Sequence, residues 1–178
     1  DVFHASLSVG DSTVPPETPA LQIFEQGAVQ ITGDFPSVRV AAGDLVLLPQ
    51  GVRHRISADE PTQWITGTIV YDTTSAADRL LAALPPVIVL RLSADDPREW
   101  LDVSSRLLLQ EVRDPLPGGA VMVSRIIDLL FVQTLRSWSR SPEATPGWLT
   151  AAMDEYLGRV IAALHRHPER DWTVGSMA

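Results

Sequence analysis

Residues 43–54 are the segment that most constrains how this chain folds. They read Gly43-Asp-Leu-Val-Leu-Leu-Pro49-Gln-Gly51-Val-Arg-His54, which is a G-x5-P-x-G-x2-H spacing. Gly43 allows a tight turn, the apolar run after Asp44 predicts a strand buried on both faces, and Pro49 with Gly51 predict a sharp corner. His54 then falls on the returning strand, where its side chain could point into a barrel.

The flanking residues predict further short strands. Residues 3–9 alternate apolar and polar, 21–32 suggest two strands meeting at Gly27, and 62–72 are rich in β-branched and aromatic residues. Residues 11–20 hold three prolines and predict a loop. Short strands separated by glycine and proline turns predict a small barrel or sandwich over residues 1–74.

From residue 75 the apolar spacing becomes helical, so the predicted class is α+β. Residues 75–140 are expected to hold helices at 75–86, 95–114 and 120–140, with one further strand at 88–92. The 95–114 helix repeats its apolar residues at Trp100, Val103, Leu107 and Val112, while the 120–140 helix is apolar on almost every side. Residues 141–178 predict a linker and an amphipathic helix at 148–167.

Composition and charge exclude several functions. The chain has no cysteine, which removes disulfides and thiolate metal sites and fits a reducing cytoplasm. Its net charge of −8 disfavours direct binding to nucleic acid. No apolar run approaches the roughly 20 residues that span a membrane, and no secretory leader is expected, so we expect a cytoplasmic protein without membrane contact.

The 43–54 spacing resembles the second sequence motif of the cupin barrels, which have a double-stranded β-helix or jelly-roll fold. Metal-dependent cupins add a first motif with a His-x-His pair and a glutamate, whereas residues 21–32 offer only Glu25. His165 and His167 have the His-x-His form but fall at a predicted helix end. We therefore expect no metal or other cofactor, with His4 and His54 as the pair that could hold an ion weakly.

The second half resembles the AraC-type transcription regulators whose sensor is cupin-like. The resemblance rests on the order of degenerate barrel, helices and connecting helix, and on Trp172-Thr173-Val174, which is similar to the start of a helix-turn-helix domain, with Met177 where leucine is usual. It implies an effector-sensing and dimerisation domain, with promoter DNA bound through a helix-turn-helix domain beyond this chain.

The candidate effector contacts, chosen by strand position and chemistry, are His54, Trp64, Glu25 and Thr66. The resemblance also favours a homodimer contact on the 120–140 helix through Ile126, Ile127, Leu130 and Leu135. Burial of this helix against its own chain is the alternative. The corner residues Gly43, Asp44, Pro49 and Gly51 are assigned structural roles.

Two other functions stay open at this point. A metal-dependent cupin enzyme, an isomerase or dioxygenase, is suggested by the 43–54 segment alone, and a dimerisation module without a ligand is suggested by the apolar 120–140 helix. No catalytic motif supports an enzyme. The preferred hypothesis is a sensor with a small-molecule effector whose identity the sequence does not specify.

Overall fold

The structure is a computed structural model that describes residues 2–70, 81–91 and 99–141. The predicted 148–167 helix and the Trp172 segment lie outside these ranges, as does the first half of the predicted 75–86 helix. By internal contacts the chain divides into two compact units, Asp1–Thr134 and Leu135–Ala178. Of the second unit, only residues 135–141 are described.

The described strands form two antiparallel sheets. In chain order they are β1 (Val2–Leu7), β2 (Ser12–Thr13), β3 (Ala20–Gln26), β4 (Ala28–Gly33), β5 (Phe35–Ala41), β6 (Leu45–Leu48), β7 (His54–Ala58), β8 (Thr62–Thr68) and β9 (Ile88–Leu90). One sheet has the order β1-β8-β3-β6-β9 and the other β2-β7-β4-β5. The expected barrel is confirmed, and it extends past residue 74, because β9 pairs with β6.

The core lies between the two sheets, where alternate residues of each strand meet. It comprises Phe24, Val29, Ile31, Val40, Val46, Leu48, Ile56, Ala58 and Trp64. The rings of Phe24 and Trp64 stack at a centroid distance of 5.7 Å. Burying such side chains contributes about 1.5–3 kcal/mol each, so this layer dominates the stability of the barrel.

The turns follow the predicted chemistry. Gly27 and Gly43 have positive φ angles, 77° and 89°, at the β3–β4 and β5–β6 turns. The Asp44 carboxylate accepts a hydrogen bond from the Ala41 amide at 3.0 Å, which closes the turn before β6. All four residues of β6 are buried, as the sequence predicted.

Two helices are described after the barrel strands, α1 (Glu99–Arg113) and α2 (Gly119–Ser139). The predicted apolar face of α1 is wrong: Val103 and Leu107 are exposed, and the buried residues are Leu101, Ser104 and Leu108. In α2, Ile127 packs against Gly67 on the outer face of β8. No helix within the described ranges has the length and hydropathy needed to cross a membrane.

Candidate functional site

Two adjoining cavities open at one end of the barrel, and we call them together the barrel cavity. The larger has a volume of about 270 Å³ and the smaller about 220 Å³. The larger is lined by Phe3, Pro15, Pro16, Thr18, Ala20, Gln22, His54, Thr66 and Thr68. The smaller shares Phe3, Pro15, Pro16 and Thr66, and adds Ala5, Ser6, Leu7, Thr13, Val14 and Trp64.

Strand alternation decides which side chains reach the barrel cavity. Gln22 pairs with Thr66, and Phe24 pairs with Trp64, across β3 and β8. Since Phe24 and Trp64 belong to the core, Gln22 and Thr66, two residues away on each strand, point to the same interior side. The Trp64 indole donates to the Thr66 hydroxyl at 3.1 Å, which fixes both side chains.

His54 begins β7, directly after the corner at Pro49–Gly51. Its side chain is 3% exposed and lines the larger cavity. Nδ1 lies 2.9 Å from the Val52 carbonyl oxygen, while Nε2 is buried with no hydrogen-bond partner. A buried polar atom without a partner is costly in free energy, so a hydrogen-bond partner for this ring nitrogen would stabilise the domain.

Gln22 is a cavity residue that the sequence interpretation missed. It is 1% exposed, and its Oε1 is buried with no partner. The signal in the sequence was a polar residue within the apolar run Ala20–Phe24, which is buried throughout. Buried glutamines are uncommon unless their amides are satisfied, so this position also points to a binding role.

Glu25 and His4 are not in the barrel cavity, which corrects two predictions. His4 Nε2 lies 2.9 Å from Glu25 Oε2, and Arg113 from the end of α1 approaches the other oxygen at 3.4 Å. Along β1, Phe3 and Ala5 face the cavity, so His4 between them faces outward. His4 therefore points out of the barrel, whereas His54, on β7 of the other sheet, lines the barrel cavity, so the two side chains do not come together.

A proline-rich loop, residues 14–19, forms one wall of the barrel cavity. Pro15, Pro16 and Thr18 contribute to the lining. This loop packs directly against Gly51. The φ of Gly51 is +61°, and a Cβ placed there would lie 2.5 Å from Thr18 C and 2.7 Å from Pro19 N. The corner glycine of the 43–54 segment thus has a second role, because only a residue without a side chain lets the loop approach.

The predicted dimer contacts are buried within one copy of the chain. Ile126, Ile127, Leu130 and Leu135 are each at most 7% exposed. The exposed apolar residues of α2 are Val121, Met122, Leu129 and Val132. Side chains that are already covered offer no surface to a second copy, so the four predicted interface residues are corrected to residues that pack within their own chain.

The donor set does not fit the metal centre of metal-dependent cupins. Among the described residues no three His, Cys, Asp or Glu side chains come together. His54 offers one free ring nitrogen, and its described neighbours across the cavity are an amide and hydroxyls. Transition metals require several imidazole, carboxylate or thiolate ligands, so we derive no chemistry through a metal here.

The fold has two antiparallel sheets with a cavity between them, and the histidine of the G-x5-P-x-G-x2-H corner lies in the wall of that cavity. These features define a cupin domain. A family model described as Cupin matches residues 2–140, and the chain belongs to this family.

Relatives connect this cupin domain to transcription regulators. The chain is 30% identical over 164 residues to the RCS-specific HTH-type transcriptional activator RclR of Escherichia coli strain K12, covering 86% of this chain and 55% of RclR. It is 34% identical over 62 residues to the HTH-type transcriptional regulator AlkR of Acinetobacter baylyi, covering 35% of this chain and 20% of AlkR. The chain thus spans little more than half of one relative and a fifth of the other.

One solved structure shares the fold across the chain. The crystal structure of an apo ToxT variant from Vibrio cholerae superposes with a TM-score of 0.54 at 12% identity, covering 99% of this chain and 68% of that one. The resemblance to AraC-type regulators that carry a cupin-like domain is confirmed by the family match and the relatives together.

Proposed function

We propose that this chain is the effector-sensing part of an AraC-type transcription regulator, and that the effector binds in the barrel cavity. The observation that carries the proposal is a cavity with two buried, unpartnered polar atoms, His54 Nε2 and Gln22 Oε1. Its setting supports the same function, because the cupin domain that contains it is related to HTH-type regulators.

Promoter DNA is assigned to a helix-turn-helix domain outside this chain. The net charge of −8 supports this division, because binding to duplex DNA depends on cationic side chains that displace counterions from phosphates. RclR and AlkR, to which the chain is similar, are HTH-type transcriptional regulators. The sensing chain would then control the DNA-binding domain without contacting DNA itself.

Strand β8 offers a physical route from the cavity to the helices. Thr66 lines the cavity, and the next residue, Gly67, contacts Ile127 of α2 on the opposite face of the sheet. A ligand that displaces β8 would therefore displace the surface on which α2 rests. The ligand can shift the equilibrium only by its difference in affinity for the two arrangements.

We further propose that the chain is a cytoplasmic homodimer and not an enzyme. The exposed apolar residues of α2 supply a surface for a second copy. The described lining of the barrel cavity has one imidazole and no carboxylate, which is a poor basis for acid–base catalysis. Binding rather than turnover is the function that this lining supports.

Native mass spectrometry of the purified chain tests the sensor hypothesis. We expect a dimer that carries, or takes up from a metabolite extract, a small organic molecule, and we expect the added mass to disappear in His54→Leu. A saturating ligand at about 100 times its Kd should also raise the unfolding free energy by about 2.7 kcal/mol. A monomer that binds one transition-metal ion and no organic molecule would contradict the proposal and favour a metal-dependent cupin enzyme.

A further inference from the structure

We propose that Glu25 is the attachment point that holds the carboxyl-terminal end of α1 on the barrel, and that breaking this attachment releases the end of the helix while the barrel stays folded. The contact itself does not depend on the proposed effector. Its use as a regulatory device, through which the barrel controls the position of the helices, rests on the proposed function.

The Glu25 carboxylate joins three elements of the fold. Its Oε2 lies 2.9 Å from His4 Nε2 on β1, and its Oε1 lies 3.4 Å from Nη2 of Arg113, the last residue of α1. Glu25 itself belongs to β3. One side chain therefore connects two strands of the barrel to the end of a helix.

The burial of the three side chains shows that the carboxylate is the centre of the contact. The Glu25 side chain is 13% exposed, whereas those of His4 and Arg113 are 34% and 65% exposed. A carboxylate that is largely removed from water needs compensating charge or hydrogen bonds, because its desolvation is costly in free energy. Arg113 supplies part of that compensation only while the end of α1 stays on the barrel.

An irregularity in β3 places Glu25. The strand pairs regularly with β8 as far as Phe24 and Trp64, and pairing resumes at Gln26 and Gln63, so that Glu25 is the additional residue between them. Such a β-bulge leaves the extra residue without a ladder partner and changes the direction of its side chain. The attachment point thus directly follows Phe24, whose ring stacks on Trp64 in the cavity wall.

The two described helices are therefore attached to adjacent strands of one sheet. Arg113 of α1 contacts Glu25 of β3, and Ile127 of α2 contacts Gly67 of β8. The strands β3 and β8 are hydrogen-bonded neighbours, and both carry residues that line the barrel cavity. The α2 contact is apolar and packed, whereas the α1 contact is ionic and partly exposed, so the α1 contact needs less free energy to open.

Hydrogen exchange followed by mass spectrometry tests the attachment in the whole chain. Glu25→Gln keeps the size of the side chain and removes its charge, so we expect the amides of residues 110–114 to exchange about fivefold faster, the effect of one partly exposed ion pair. Peptides from β3 and β8 should keep their native rates. Asp59→Asn is the matched control, because Asp59 pairs with Arg39 at 2.7 Å within the barrel, and it should leave the rates at residues 110–114 unchanged.

Salt and a second variant separate the ionic contact from a general effect on the helix. Raising the NaCl concentration from about 0.05 to 1 M should speed exchange at residues 110–114 in the native chain and change it little in Glu25→Gln, because salt screens a contact that the variant has already lost. Arg113→Gln should raise the rate at least as much as Glu25→Gln, since it also removes a cation that favours the helix end. The double variant should exchange no faster than Arg113→Gln.

Three outcomes would overturn the inference. Unchanged exchange at residues 110–114 in Glu25→Gln would exclude the attachment, and an equal response to salt in both proteins would exclude its ionic origin. Equal acceleration of the β3 and β8 peptides would show that Glu25 stabilises the whole barrel and does not hold the helix end locally. None of these results bears on effector binding, which native mass spectrometry decides independently.

Discussion

At Gly51, two structural requirements act on one residue. Its φ of +61° lies in the left-handed region, and the Thr18 and Pro19 backbone occupies the space where a side chain would be. Gly10 is a matched comparison, because its φ is +82° and nothing lies within 4 Å of a Cβ built there. Comparing the same substitution at the two glycines therefore separates the effect of backbone strain from the effect of a steric clash with the loop.

We expect Gly10→Ala to lower the free energy of unfolding by about 1 kcal/mol, the strain of an alanine in the left-handed region. Gly51→Ala should cost about 1–3 kcal/mol more, because its methyl group must displace the proline-rich loop. It should also weaken ligand binding, since Thr18 lines the barrel cavity. Urea unfolding of both variants checks this, and equal losses would contradict the close approach described for Gly51.

The residue scale also shows what the sequence can and cannot predict about the site. His54, Trp64 and Thr66 were identified from strand position, and all three line the barrel cavity. Gln22 was missed because Ala20–Phe24 is buried throughout, on the face toward the opposite sheet and on the face away from it. Glu25 follows this run, where the register with β8 shifts between Phe24 and Gln26. Alternation divides such a strand into two sets, but only its register with β8 shows which set faces the cavity.

At the scale of elements, the contact between β8 and α2 couples the barrel to the helices. Ile127 Cδ1 occupies the space beside Gly67 where a Cβ would lie. Gly67→Ala should therefore be destabilising in the native chain and close to neutral when Ile127→Ala has already made room. Ile127→Ala alone should cost about 2–5 kcal/mol as a buried isoleucine truncated to alanine.

A double-mutant cycle measures this coupling. We expect an interaction free energy of about 0.5–3 kcal/mol between Gly67→Ala and Ile127→Ala, from urea unfolding of the four proteins. The control cycle pairs Gly67→Ala with Ile126→Ala, because Ile126 is equally buried but is not among the atoms nearest Gly67. Additive losses in both cycles would show that β8 and α2 are not coupled at this contact.

Helix α1 shows why the existence of an element is easier to predict than its orientation. The predicted buried stripe was Trp100, Val103 and Leu107, and the observed one is Leu101, Ser104 and Leu108. Both have the i, i+3, i+7 spacing of one helix face. They differ by one residue, which is a rotation of about 100° around the helix axis. The predicted stripe was the more apolar of the two. The helix packs on the barrel, in contact with β1, and this surface decides which stripe is buried. The local sequence of the helix holds no information about that surface.

For the whole molecule, oligomeric state is the property that the exposed surface of α2 should decide. Leu129→Lys places a charge among exposed apolar residues, so we expect a monomer by light scattering, with the circular dichroism spectrum unchanged. Leu130→Ala is the control, because Leu130 is fully buried and its truncation should cost about 2–5 kcal/mol of stability. A dimer that persists in Leu129→Lys would exclude this surface as the interface.

The succession of short strands along the chain and the corner at residues 43–54 were predictable because glycine and proline define turns locally. The two-sheet arrangement, with β9 joining β6 across 40 residues of chain, depends on long-range pairing that no local pattern encodes. The resemblance to a known family supplied the jelly-roll class, with which the family match agrees, but not the pairing of β9 with β6.

Gly67 also bears on how faithfully motion passes through the wall of the barrel. Where two side chains meet, a small shift of one element is absorbed by changes of rotamer before the neighbouring element has to move. At Gly67 the side chain of Ile127 rests directly on the backbone of β8, so the strand has no rotamer to adjust on that side. Only the torsions of Ile127 can absorb a shift at this contact, so we expect a small displacement of β8 to reach α2 with less loss than it would through two facing side chains.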